Sequence, residues 1–224
     1  MVNSIDYMLC SHMETAKIAP IAYFSRWFTT PIDVAERTVL AVIEALGQHP
    51  SADDQTAQDY VMPLRRCREH SGRFRIWGEN QDTFYCFVYD GDEFKPNPPV
   101  YFESCLDLSL DYGIGKSDVI NGDHVLVANT FTDFLWHMLG HHICLRCDFH
   151  DHLNPTVNGL QFNDVDLDTS FRFTLCRDFP AGYGPCFRHD TICIPDWGAA
   201  FLNREARESF VSEFRPAIDR EWAA

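Results

Sequence analysis

Between His141 and His152 the chain reads HHICLRCDFHDH, which gathers His141, His142, Cys144, Cys147, His150 and His152 into one stretch. Imidazole and thiolate are zinc ligands, and Cys-x2-Cys is a spacing that zinc accepts. A structural zinc site, however, joins two well-separated ligand pairs. Here the first members fall on the end of an expected helix and face in different directions. Cys144 at that place is also a natural core residue. Cys86, Cys176, Cys186 and Cys193 are the candidates to complete such a site. A zinc-binding protein using His141, Cys144, Cys147, His150 and His152 stands as the lesser alternative, and no cofactor is expected.

Other chemistry-bearing patterns are incomplete. Gly113-Ile114-Gly115-Lys116-Ser117 ends like a phosphate loop, but Leu110 stands where the motif needs its first glycine. There is no G-x-S-x-G elbow, no H-E-x-x-H and no dinucleotide fingerprint. Glu103 and Asp107 would share one face of a helix, where a solvated surface explains them. Nine Cys and ten His supply material for Cys–His catalysis, but no local pattern supports it. The expectation is a protein that is not an enzyme.

The formal charge is -15, from 33 acidic and 18 basic residues. Phosphates would be repelled, which disfavours direct nucleic-acid binding. A basic protein partner would be steered in. No apolar run approaches the ~20 residues of a membrane span. The N-terminus lacks the basic start and apolar stretch of a secretory signal, and residues 1–29 read as a leader. Nine scattered cysteines in a chain of 224 residues suit free thiols in a reducing cytoplasm.

The elements that would position these residues follow from periodicity. A helix is expected over Pro31–Leu46, capped by Thr30, with Asp33 at the capping-box position, apolar positions Val34, Val39, Val42, Ile43 and Leu46, and Gly47 as the stop. A short helix follows over Pro63–His70, ended by Gly72. Phe74 and Ile76 alternate with Arg73, Arg75 and Trp77 in a strand, and Phe84–Tyr89 reads as a central buried strand. Pro98-Pro99 precedes a third strand, Val100–Phe102. Cys105–Tyr112 is expected as a short helix and His124–Val127 as a strand. Phe131–His142 is a helix capped by Thr130, with Asp133 three residues on. Beyond Arg146, strands are expected at Phe171–Cys176 and Phe187–Ile194, then a helix over Asn203–Phe214 capped by Asn203.

Two short phrases stand out, Trp77-Gly78-Glu79-Asn80-Gln81 and Asn97-Pro98-Pro99-Val100-Tyr101. With Val125–Leu139, their order and spacing resemble the SUKH superfamily, the Smi/Knr-like proteins, over about Pro63–Arg146. The resemblance implies an α+β fold: a mainly antiparallel, curved sheet with helices packed against it. It also implies protein binding, most often as a bacterial immunity protein that neutralises a toxin by occlusion. Yeast relatives that act as regulators offer the alternative of a cytoplasmic scaffold. The family residues here are Trp77, Glu79, Asn80, Gln81, Pro98, Pro99 and Tyr101. Glu79 and Asn80 are placed to bond turn backbone, and Trp77 and Tyr101 to pair across strands. If exposed, Trp77 and Tyr101 are the contact candidates. Domain organisation is expected as 1–29 leader, 30–146 SUKH-like core and 147–224 α/β extension packed on that core.

Overall fold

The computed structural model describes residues 19–27, 32, 34, 36–49, 59–108, 111, 114–146, 150–151, 174–176, 186–188, 192–194, 199–210 and 212. Two compact units divide the chain: residues 1–136 with 180–182, and 137–179 with 183–224.

The first unit is built on a six-stranded sheet. Its strands are β1 (Asp59–Val61), β2 (Arg73–Glu79), β3 (Phe84–Tyr89), β4 (Val100–Ser104), β5 (Val119–Ile120) and β6 (His124–Ala128). The order is β1-β2-β3-β4-β6-β5, every neighbouring pair is antiparallel, and the sheet does not close into a barrel. Helices α1 (Ala19–Phe24), α2 (Val39–Gln48) and the start of α3 (Phe131–Arg146), up to Trp136, complete the α+β fold of this unit.

One sheet face is apolar. Trp77, Phe84, Cys86, Phe102 and Val125 are buried along it. Trp77 packs edge-on against Phe134 of α3, with ring centroids 6.1 Å apart. Each such side chain withdrawn from water contributes about 1.5–3 kcal/mol. Tyr23 and Phe24 of α1 meet Trp136, at 5.5 and 5.6 Å.

Helix α3 begins where its sequence indicates. Thr130 Oγ1 accepts the Asp133 N–H as an N-cap and donates its own proton to the Asp133 carboxylate. Helix α2 begins later than its periodicity suggests. Thr38, not Thr30, is the cap, its Oγ1 accepting from Ala41 N at 3.3 Å. A bond from Val39 N to Lys95 O fixes that start from outside the helix. Gly47 is helical, and the chain leaves at His49. Thr30, Pro31 and Asp33 lie outside the described residues.

Two expected helices do not form. Pro63–His70 is a series of turns closed by three-residue bonds, Arg66 N to Pro63 O among them. Arg75 N then bonds Cys67 O and pins the segment to β2, which outweighs its helical tendency. Among the described residues of Cys105–Tyr112 there is no helix; Cys105 N is taken by Thr83 O, just before β3. Glu103 lies in β4, so Glu103 and Asp107 share no helical face. Gly115–Lys116–Ser117 belongs to a turn closed by Asp118 N and Gly115 O, leading into β5.

The second unit holds a five-stranded antiparallel sheet of β7 (His150–Asp151), β8 (Thr174–Cys176), β9 (Cys186–Arg188), β10 (Ile192–Ile194) and β11 (Ala199–Phe201), in the order β7-β11-β10-β9-β8. Phe187–Ile194 is therefore two paired strands, not one. The polar His189-Asp190-Thr191 interrupts its apolar run. Asn203 Oδ1 accepts from Ala206 N at 2.9 Å, capping a helix over residues 204–210.

Candidate interaction face

The face of the sheet opposite Trp77 carries a different chemistry. Register places Arg75, Phe87, Tyr101 and Leu126 in one row across β2, β3, β4 and β6. A second row runs Tyr60, Gly78, Tyr85, Glu103 and His124. Strict alternation would put Arg75 and Trp77 on the same side. A bulge between them breaks it, so Trp77 opposes Cys86 while Arg75 opposes Phe87.

The centre of this face is aromatic. Phe87 stacks on Tyr101 at 5.6 Å, Tyr89 lies 4.8 Å from Tyr101, and His124 meets both tyrosines edge-on at 5.9 and 5.6 Å. Phe87 is buried beneath the others, whereas Tyr85, Tyr89 and Tyr101 are half-buried and Leu126 is exposed. Arg73 sits over the Phe87 ring at 4.8 Å and Arg75 over Tyr85 at 3.7 Å, both in cation–π geometry.

The charges are internally matched. Glu103 is buried between two guanidiniums: Arg75 Nε donates to its Oε1 at 2.6 Å and Arg73 donates to its Oε2. A carboxylate persists in such a place only when paired. Arg73 also donates to Asp123, whose other oxygen faces His124 Nδ1 at 2.5 Å. His124 Nε2 is 2.8 Å from the Tyr89 hydroxyl. Partial burial works to raise the Asp123 carboxyl, but the bonds from His124 and Arg73 outweigh it and hold it low. The chain Asp123–His124–Tyr89 has the connectivity of a catalytic relay. His124 is only 1% exposed, however, so its ring orients Tyr89 and meets no ligand itself.

At the β2–β3 turn a smaller polar cluster forms. The Tyr60 hydroxyl donates to Asp82 Oδ1 at 2.9 Å, and Arg66 donates to that hydroxyl at 3.1 Å and to the same carboxylate at 3.4 Å. Burial first, then Asp82, push the Tyr60 hydroxyl up to about 12. Asp82 carries a φ of 58°, a left-handed conformation that aspartate tolerates better than most residues. Tyr60 crosses directly over Gly78, where a Cβ would stand 3.2 Å from its ring.

The motif residues divide between scaffold and surface. Trp77 lies wholly in the core, which removes it as a contact residue. Trp77 and Tyr101 do not pair: β3 runs between their strands and they project to opposite faces. Glu79 is buried, and its Oε2 accepts from Gln81 N, Thr83 N and Thr83 Oγ1, organising the turn. Asn80 and Gln81 are exposed in that turn. Pro98 is buried and Pro99 half-buried ahead of β4. Tyr101 alone of the motif residues belongs to the aromatic face.

Sequence reasoning missed Arg73, Arg75, Tyr85, Tyr89, Asp123 and His124 as site residues. The signal was present in the alternation Arg73-x-Arg75 and Tyr85-x-Phe87-x-Tyr89, which marks a second sheet face of arginine and tyrosine. His141 and Cys144 lie in α3 and His150 in β7, their side chains outside the description, and Cys147 and His152 fall outside the described residues. Among the described residues no three His, Cys, Asp or Glu side chains could hold a metal ion. Among the same residues no helix is long and apolar enough to cross a membrane.

No family model matches the chain, and no curated protein or solved structure matches it either. The resemblance to the SUKH superfamily rests on the sequence phrases Trp77–Gln81, Asn97–Tyr101 and Val125–Leu139 alone.

Proposed function

We propose that this chain is a non-catalytic protein-binding module of the SUKH type, an immunity protein that neutralises a cognate basic toxin, most simply a nuclease, by occlusion. It acts in the cytoplasm, where nine cysteines stay reduced. The observation that carries this reading is the sheet face bearing Tyr85, Tyr89, Tyr101 and Arg73. Tyrosine and arginine half-exposed on a rigid sheet have the composition of interface hot spots. The net charge of -15 adds steering toward a basic partner.

The test is paired. Host lysate is passed over the wild-type chain and over Tyr101→Ala at low and high salt, and the protein retained only by wild type is identified. That protein is then expressed in a susceptible cell with and without this chain. Growth restored by wild type and not by Tyr101→Ala supports immunity. A retained partner that is harmless to the cell would replace immunity with the regulatory scaffold, which uses the same kind of face.

A further inference from the structure

The hydrogen-bond polarity of the aromatic face specifies what its partner must bring. Arg73 directs its two terminal nitrogens at Glu103 and Asp123, and Arg75 directs Nε at Glu103 while lying against Tyr85. Arg75 is 7% exposed. These guanidiniums are committed inward. Tyr89 is committed as well. The Asp123 carboxylate has no proton to give, so His124 Nδ1 carries the hydrogen between them. The Tyr89 hydroxyl is tied to Nε2 at 2.8 Å and keeps a lone pair free for an outside donor. Asp123, its side chain 52% exposed, gives each oxygen to one internal donor and keeps a further lone pair on each. Arg73 and Arg75 keep further N–H groups, but Arg75 is buried and Arg73 is ion-paired to both carboxylates.

We propose that Tyr89, Tyr101 and Asp123 receive an arginine or lysine side chain of the partner protein, a deepening that rests on the protein-binding function above. Ring faces and a half-exposed carboxylate attract a guanidinium or ammonium, and outward lone pairs accept its N–H groups. A phosphate or carboxylate ligand would have to compete with Glu103 and Asp123 for the arginine N–H groups. That competition favours a basic peptide over an acidic one, in the direction of the net charge of -15.

The experiment is a titration of the full chain with a short oligo-arginine peptide, followed by backbone amide shifts, with oligo-glutamate as the control. Shifts centred on Tyr89, Tyr101, Asp123 and Leu126 are expected with oligo-arginine alone. Asp123→Asn and Tyr101→Leu should each weaken binding roughly tenfold, the effect of one charge-assisted contact. Glu44→Gln, on the exposed side of α2, should leave binding unchanged. Thermal midpoints verify that the variants fold. Shifts spread evenly over all acidic surface, or affinity indifferent to both face variants, would overturn the proposal. Loss of peptide localisation with a host partner still captured overturns this inference and leaves protein binding standing. Localisation here with no host partner supports it and removes the immunity reading instead.

Discussion

Asn97 Oδ1 accepts the backbone N–H of Thr132 at 2.8 Å, so the loop before β4 supplies a cap to the first turn of α3. The first N–H groups of a helix have no partner within it. Thr130 serves Asp133, and Asn97 serves Thr132 from 35 residues away in sequence. The Asn-Pro-Pro phrase thus ties the sheet to the helix that covers Trp77. Asn97→Ala should destabilise the first unit by about 1 kcal/mol, with a range of about 0.5–2. Asn97→Asp, which keeps the acceptor and suits the helix N-terminus, should recover most of it. Urea denaturation of the two variants checks this.

Gly78 is required by what crosses it. A Cβ there would stand 3.0 Å from Met62 Cε and 3.2 Å from the Tyr60 ring. Tyr60 cannot retreat freely, because Asp82 and Arg66 hold its hydroxyl. Gly78→Ala should therefore cost about 1–3 kcal/mol, as overpacking does. In a Tyr60→Leu background the same substitution should cost markedly less. The double-mutant cycle measures that coupling, and additive costs would refute the steric account.

The Tyr60 hydroxyl also predicts alkaline behaviour. Its folded value, about 12, lies above the ordinary 10.0 of an unfolded tyrosine. The stability it contributes is present in full below pH 10 and is lost as pH rises toward 12. Tyr60→Phe should flatten that part of the stability–pH curve and leave neutral pH behaviour nearly intact. Denaturation midpoints at stepped pH, read with tyrosinate absorbance, test it.

Trp77 and Tyr101 looked interchangeable in the sequence, and the structure separates them. Trp77→Ala should cost about 3–5 kcal/mol through the cavity left against Phe134. Tyr101→Ala, at a half-buried site, should cost less stability and most of the partner affinity. Thermal melts and partner binding measured on both variants distinguish the roles.

What was legible followed local rules. The strand Phe84–Tyr89 and the caps Thr130 and Asn203 are all written in adjacent residues. What was illegible depended on distant partners. Arg75 N bonds Cys67 O and abolishes an expected helix, and Val39 N bonds Lys95 O and moves the start of another. The bulge after Arg75 had no signal of its own, so the side to which Trp77 turns could not be read. The candidate face stayed hidden for the same reason: Arg73 and Glu103 come from two strands and Asp123 from the turn before β6, and only the folded sheet unites them.

Glu103 shows what that union costs to break. It is the buried carboxylate shared by Arg73 and Arg75, so removing its charge strands the buried Arg75 and leaves Arg73 to Asp123 alone. Glu103→Leu should destabilise the fold by about 3–5 kcal/mol, the usual consequence of leaving a buried charge uncompensated. Glu103→Gln keeps the shape and one acceptor oxygen and should cost less. The triple variant Arg73→Met, Arg75→Met, Glu103→Leu removes the charges together, and should be more stable than Glu103→Leu alone despite changing more residues. Its aromatic face would lose the arginines that cover Phe87 and Tyr85, so partner binding should fall even as stability returns. Denaturant midpoints and partner affinity measured on the same three proteins separate the structural role of Glu103 from the surface it supports.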